Sequence, residues 1–331
     1  LKKPQLPDIE QWKRRLMRAR WMRKLLVWAK RRSLPGFSRV PIYDVVVFTT
    51  NEIQRFDLFL RANAIAYSFF LALFPALISL FTLLPHLRKY FLHYLPNEGD
   101  HFEDVLQHEI QQIVPGDVGL HISNFIEDLT TNPRVGLLSF GFFLALFFAS
   151  NGMLALMQGF EKSYARTFIK RNALSKRGIA SMLTFLLAFL LLASVVLIIL
   201  GNQIIHAAGA WTGWNRVTEW SISILRWLTI VSVYYFGIAI IYRFGAAVRR
   251  KFRWFSPGAT LATILCLLTS LIFSFYVDNF GNYNKLYGSF GTIIVTMLWL
   301  QLNALGLLIG FELNAGIAIN RDLKQAREDE R

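Results

Sequence analysis

Cysteine is almost absent from this sequence: the one thiol, Cys266, lies inside an apolar run. An intramolecular disulfide is therefore excluded, and with it a disulfide scaffold. Charge is also scarce, at 17% of residues, where soluble domains carry about 25%. Neither a soluble nuclease nor a disordered chain has that composition. No GxxxxGK[ST] phosphate loop occurs, which excludes ATP hydrolysis by that route. The HExxH zinc signature is missing too: His108-Glu109 begins it, but Gln112 stands where the second histidine is needed. What is abundant is apolar surface, at 54% of residues, gathered into long uncharged runs.

A membrane-spanning helix needs about 20 predominantly apolar residues. Six stretches qualify, at about 62–84, 135–160, 178–200, 221–244, 258–277 and 290–318. The expected fold is therefore all-α: a polytopic membrane protein of six transmembrane helices. No cleavable signal peptide is expected, because residues 1–61 are basic and amphipathic. The chain opens on Leu1 rather than Met, which leaves its true start open.

The net charge of +15 is topological. Of the 36 Lys and Arg, 30 fall in 1–61, 161–177, 243–257 and 319–331, which alternate with the other connections. By the positive-inside rule both termini face the cytoplasm. Six spans and two inside termini agree in parity. Anionic inner-leaflet lipid is the expected partner of the basic segments, and nucleic acid is not. Within the expected arm at 1–60, Ile9, Trp12, Leu16, Leu25 and Trp28 share a face ringed by Lys and Arg. This pattern suits a helix lying on the inner membrane surface. Leu34-Pro35-Gly36 marks a turn.

The connection 85–134 is acidic, with Glu98, Asp100, Glu103, Asp104, Glu109, Asp117, Glu127 and Asp128. Apolar residues recur there at helical spacing, and Pro115-Gly116 breaks the pattern. A helical cap over the outer end is expected, with an envelope protein as its potential partner. His101, Asp104 and His108 share a helix face there. That face lies opposite the apolar stripe, so solvation explains it, and neither a metal nor a cofactor is expected. The short tail from 319 is expected in the cytoplasm.

Polar residues inside the bilayer are the functional candidates. For a substrate path or gate these are Asn63, Tyr67 and Pro75 in the first span, and Asn151 and Gln158 in the second. Pro75 frees the carbonyl of Leu71 and can kink its helix. In the last span Gln301, Asn303 and Glu312 join them. Asn303, Gly306, Gly310 and Asn314 form one stripe, whose GxxxG pair permits close approach of another helix. Gln301, Leu305, Leu308 and Glu312 form the opposite stripe. Glu312 lies about 33 Å along its helix from Phe290, near the inner interface. There it suits either a gate or proton site, or a carboxylate paired with a loop arginine. Arg226, Lys285, Gly288 and Ser289 suit an outer anion site, or a snorkelling arginine beside a plain helix cap.

Three stretches resemble one family. They are RANAIAYSFFLALFPALISLFTLLP at Arg61–Pro85, RWFSPGA at Arg253–Ala259, and YNKLYGSFGTIIVTMLWLQLNALGLLIGFELNA at Tyr283–Ala315. The last carries YGS, an LW step and a GFELNA ending. The chain resembles the YihY/BrkB family of bacterial inner-membrane proteins over about residues 50–320. The resemblance implies an envelope role, in lipid or lipid-linked export and serum resistance. The family's old label, ribonuclease BN, finds no support in the residues. Nuclease chemistry needs clustered carboxylates with metal, or a histidine pair. Every histidine and the acidic cluster are expected outside, away from cytoplasmic RNA. The leading expectation is a non-ATPase transporter of an anionic lipid or lipid-linked amphiphile, not an enzyme. The alternative is a non-transporting envelope scaffold.

Overall fold

The computed structural model describes residues 27–38, 40–55, 57–90, 135–190, 193, 216–279 and 289–330. Seven helices organise them: α1 (Ile42–Arg55), α2 (Leu58–Tyr90), α3 (Val135–Gly159), α4 (Ala173–Leu190), α5 (Arg216–Ile240), α6 (Pro257–Asn279) and α7 (Ser289–Asp329). All except α1 are long and apolar enough to cross a membrane. No strand occurs among the described residues. Phe140, Phe143, Phe189, Ile272 and Phe275 are exposed on the helix flanks. Such an apolar girdle suits lipid rather than water.

The structure extends the sequence reading at two boundaries. The expected arm at 1–60 contains α1, a helix of 14 residues. Its residues Val45, Thr49 and Glu52 recur at i, i+4 and i+7 and are buried, as one face of a helix requires. The chain reaches it through a turn in which Gly36 has φ +89°. A Cβ there would meet the Pro257 ring at 2.9 Å, so glycine suits both the backbone and the space. The last helix does not end near 318 but continues to Asp329. The helix also continues through Pro75, which is buried within α2.

Helix α7 is the axis of the molecule, packing on α1, α2, α3 and α6. The deepest core lies at the end of the bundle that carries the connections 161–172 and 246–256, called here the basic end. Phe160 stacks on Phe311 with ring centroids 4.3 Å apart. Tyr242, Phe168 and Phe252 surround the pair edge-on. Offset and edge-on aromatic contacts add to what area burial provides. After Ile240, α5 widens into a π-helical turn, Ile241–Gly245. Its terminal carbonyls are collected by Arg171, whose guanidinium donates to Phe244 O, Gly245 O and Ala246 O at 2.9–3.2 Å. A cation at a helix C-terminus is also favoured by the helix dipole. The two basic connections are stitched together by Ile169 N–H to Ala247 O at 2.8 Å and Arg249 N–H to Thr167 O at 2.9 Å.

Candidate functional site

At the basic end, Lys162 stands between two carboxylates. Its ammonium is 2.9 Å from Glu52 Oε2 and 2.7 Å from Glu312 Oε1. The Lys162 and Glu312 side chains are 1% and 0% exposed. The Tyr164 hydroxyl donates to the other Glu52 oxygen at 3.2 Å. Arg61 lies near enough to act electrostatically on Glu312, and it donates to Gly159 O at 3.0 Å. Two acids and two bases thus offset one another, as buried charges must. The cluster draws on four segments: α1, α2, the α3–α4 connection and α7.

The next residues of α7 turn to other tasks. Leu313 lines an open groove of about 1320 Å³ between α5, α6 and the turn at Leu34–Phe37. Asn314 faces the start of α6. Its Oδ1 accepts from Gly258 N–H at 2.9 Å, and its Nδ2 donates to Ser256 Oγ at 3.0 Å. Ser256 in turn caps α6 by accepting from Ala259 N–H at 3.3 Å. Three consecutive residues therefore join a sealed charge cluster, an open groove and a helix start.

The family model for virulence factor BrkB matches residues 49–331, most of the chain and all seven helices except the first turns of α1. The chain belongs to the BrkB family. A relative of this BrkB-family chain, the putative ribonuclease-like protein YfkH of Bacillus subtilis, is 33% identical over 77% of this chain and 88% of its own length. A UPF0761 membrane protein of Mannheimia succiniciproducens is 31% identical, over 30% of this chain and 32% of the relative. One of Xanthomonas campestris is 31% identical, over 32% of this chain and 25% of the relative. No solved structure matches. With its six long apolar helices, this BrkB-family chain is a multi-pass bacterial membrane protein. Among its described residues, no group of three or more His, Cys, Asp or Glu is placed to hold a metal ion.

Of the sequence-predicted gate residues, only Glu312 enters the charge cluster. Asn63 and Tyr67 are exposed on the flank of α2, and Gln158 is exposed at the end of α3. Asn151 accepts a hydrogen bond from Arg177, so it ties α3 to α4. Gln301 is half-buried. Asn303 is glue: its Nδ2 donates to Trp299 O at 2.8 Å, and its Oδ1 accepts from the Tyr234 hydroxyl at 3.3 Å. Gly306 and Gly310 lie against α6. A Cβ on Gly306 would meet Cys266 Sγ at 3.1 Å, and one on Gly310 would meet Gly258 O at 2.5 Å. The outer anion site falls largely outside the described residues. Lys285 and Gly288 are not among them, and the side chains of Arg226 and Ser289 are not described. The part of the expected outer cap at 91–134 and the arm before residue 27 also lie outside them, while residues 85–90 belong to α2.

Glu52, Lys162 and Tyr164 are the functional candidates that the sequence reading missed. Glu52 had a signal: it continues the buried stripe of Val45 and Thr49, where an apolar residue would be the default. Lys162 had none, being one base among six in a basic connection. Its partner at 312 is 150 residues away.

Proposed function

We propose that this BrkB-family protein is a non-ATPase transporter, moving an anionic lipid or lipid-linked amphiphile across the cytoplasmic membrane. The observation that carries this reading is the shared use of α7. Glu312 closes a sealed charge cluster on one side, and the adjacent Leu313 lines an open, largely apolar groove on the other. Charges buried at the edge of a bilayer are costly and are functional by default. An apolar groove open to the side suits a ligand whose chains stay in lipid. The excess of Lys and Arg at this end of the bundle supports a cytoplasmic orientation for it. There the cluster serves as the inner gate: it locks α7 to α1 and α2, and its rearrangement frees α7 to move beside the groove.

The test is lipid translocation in proteoliposomes, with fluorescent anionic and zwitterionic lipids and an impermeant quencher. The expected result is loss of the protected fraction that depends on headgroup charge, with an altered rate in Glu312→Gln at equal folded protein. Protection equal to that of protein-free vesicles, with wild-type protein shown to be folded, overturns the reading.

A further inference from the structure

The groove has a polarity that runs along its length. At the basic end it is lined by Arg243, Arg253 and Trp254, and among the described residues no carboxylate lines it. The Arg243 guanidinium is fixed from two sides. Its Nη1 donates to Phe252 O at 2.7 Å, and its centre lies 5.0 Å from the Trp254 ring centroid. That leaves other N–H groups of the fork for a ligand, since guanidinium carries five donors. Arg253 is exposed beside it. Farther in, the walls are apolar, with Val231 and Phe236 on α5 and Ile264 on α6.

The depth of the groove identifies the leaflet it serves. Val231 precedes Arg243 by twelve residues, or about 18 Å along a helix. Half of a hydrocarbon core of about 30 Å is about 15 Å. The groove therefore begins at two arginines and ends near the bilayer midplane. Its volume of about 1320 Å³ exceeds the usual range of small-molecule pockets, which runs to about 1,000 Å³. The rim is aromatic: Phe255 is stacked on Tyr235 at 5.8 Å, and the Tyr235 hydroxyl donates to Trp254 O at 3.3 Å. Aromatic side chains with one wet end favour the headgroup level of a membrane.

We infer that this groove is a binding site for one anionic glycerophospholipid of the inner leaflet, its phosphate held by Arg243 and Arg253 and its acyl chains lying against α5 and α6. Guanidinium groups match a phosphate with paired donors, and two cations with no acid among the described lining residues select a net negative headgroup over a zwitterionic one. The binding site stands on the groove alone. Only its use as a substrate entrance rests on the transport reading.

The experiment uses the full chain, purified and delipidated in detergent. Native mass spectrometry counts bound lipid during titration with phosphatidylglycerol and, separately, phosphatidylcholine. The expected result is one phosphatidylglycerol retained in preference to phosphatidylcholine. Arg253→Gln should weaken it about tenfold, the scale of one lost charge-assisted hydrogen bond. Arg327→Gln, an exposed arginine at the far end of α7, should leave it unchanged. Ile264→Trp should displace the lipid while keeping both charges. A melting measurement confirms that each variant is folded. Equal phosphatidylglycerol binding by wild type and Arg253→Gln overturns the assignment, as does undiminished binding by Ile264→Trp. Displacement of the lipid by equimolar inorganic phosphate also overturns it, because the chains would then contribute nothing. Lipid binding without translocation would leave this site standing and remove only the transport reading.

Discussion

Lys162 and Glu312 meet at 2.7 Å with both side chains sealed from solvent, although 150 residues of chain separate them. Glu52 shares the same lysine at 2.9 Å. Removing the shared cation leaves two buried carboxylates without the ammonium that joins them. Lys162→Met should therefore lower stability by about 3–5 kcal/mol, the scale for breaking a buried pair. Glu312→Gln should cost less, because Lys162 keeps Glu52. Thermal unfolding in detergent measures both. In the double variant the two losses should not add, since one interaction is removed twice. Strict additivity would show that the pair is not coupled.

Arg171 gathers three carbonyls at the end of the π-helical turn. Those oxygens have no partner within their own helix, as at any helix end. Arg171→Gln should destabilise the protein by about 1.5–3 kcal/mol, the range for hydrogen bonds that involve a charged group. Arg171→Lys should recover only part of this. An ammonium keeps the charge but cannot present a planar fork to three acceptors. Equal melting temperatures for the lysine variant and wild type would assign the effect to charge alone.

The two glycines of the last helix should respond unequally. At Gly310 an added methyl would meet Gly258 O at 2.5 Å and Ala262 Cβ at 2.6 Å. The first of these is backbone and cannot step aside. At Gly306 the nearest atom is Cys266 Sγ at 3.1 Å, a side chain. Gly310→Ala should cost about 1–3 kcal/mol, as overpacking does, and Gly306→Ala less. Cys266→Ala should rescue Gly306→Ala and leave Gly310→Ala unchanged. Rescue of both, or of neither, in paired melting curves would contradict this packing.

Helix number and type were legible because each span is a long uncharged run, and a bilayer leaves few alternatives to a helix. The small-residue stripe of α7 was also legible, since Gly306, Gly310 and Asn314 recur at helical spacing. Which helix it faces was not. A stripe carries no address, and α6 answers it through Gly258, Ala262 and Cys266. Glu312 was visible as an acid inside an apolar helix, with a loop arginine as its expected partner. The structure gives it a loop lysine and a second acid instead. That partnership depends on α1 folding back onto α7, a contact between distant parts of the chain that no local period encodes. Asn63, Tyr67 and Gln158 stand apart from that cluster. A polar residue in a span draws attention, yet these three lie on exposed flanks.

Asn314 and Ser256 act as one device at the start of α6. Asn314 accepts from Gly258 N–H and donates to Ser256 Oγ, and that hydroxyl oxygen also accepts from Ala259 N–H. Asn314→Leu keeps the volume but leaves a buried N–H at Gly258 without its acceptor. The expected cost is about 1–3 kcal/mol, that of an unsatisfied buried group. Ser256→Ala removes the cap of α6 at about 1 kcal/mol. Because the serine is also oriented by Asn314, the double variant should lose less than the sum of the two. The same loosening should reach the groove, whose wall includes Ser256 and Pro257. Amide hydrogen exchange in the first turn of α6 should rise in each single variant by more than at the centre of α6. A uniform rise along α6 would mean that the pair supports the whole bundle rather than this helix start.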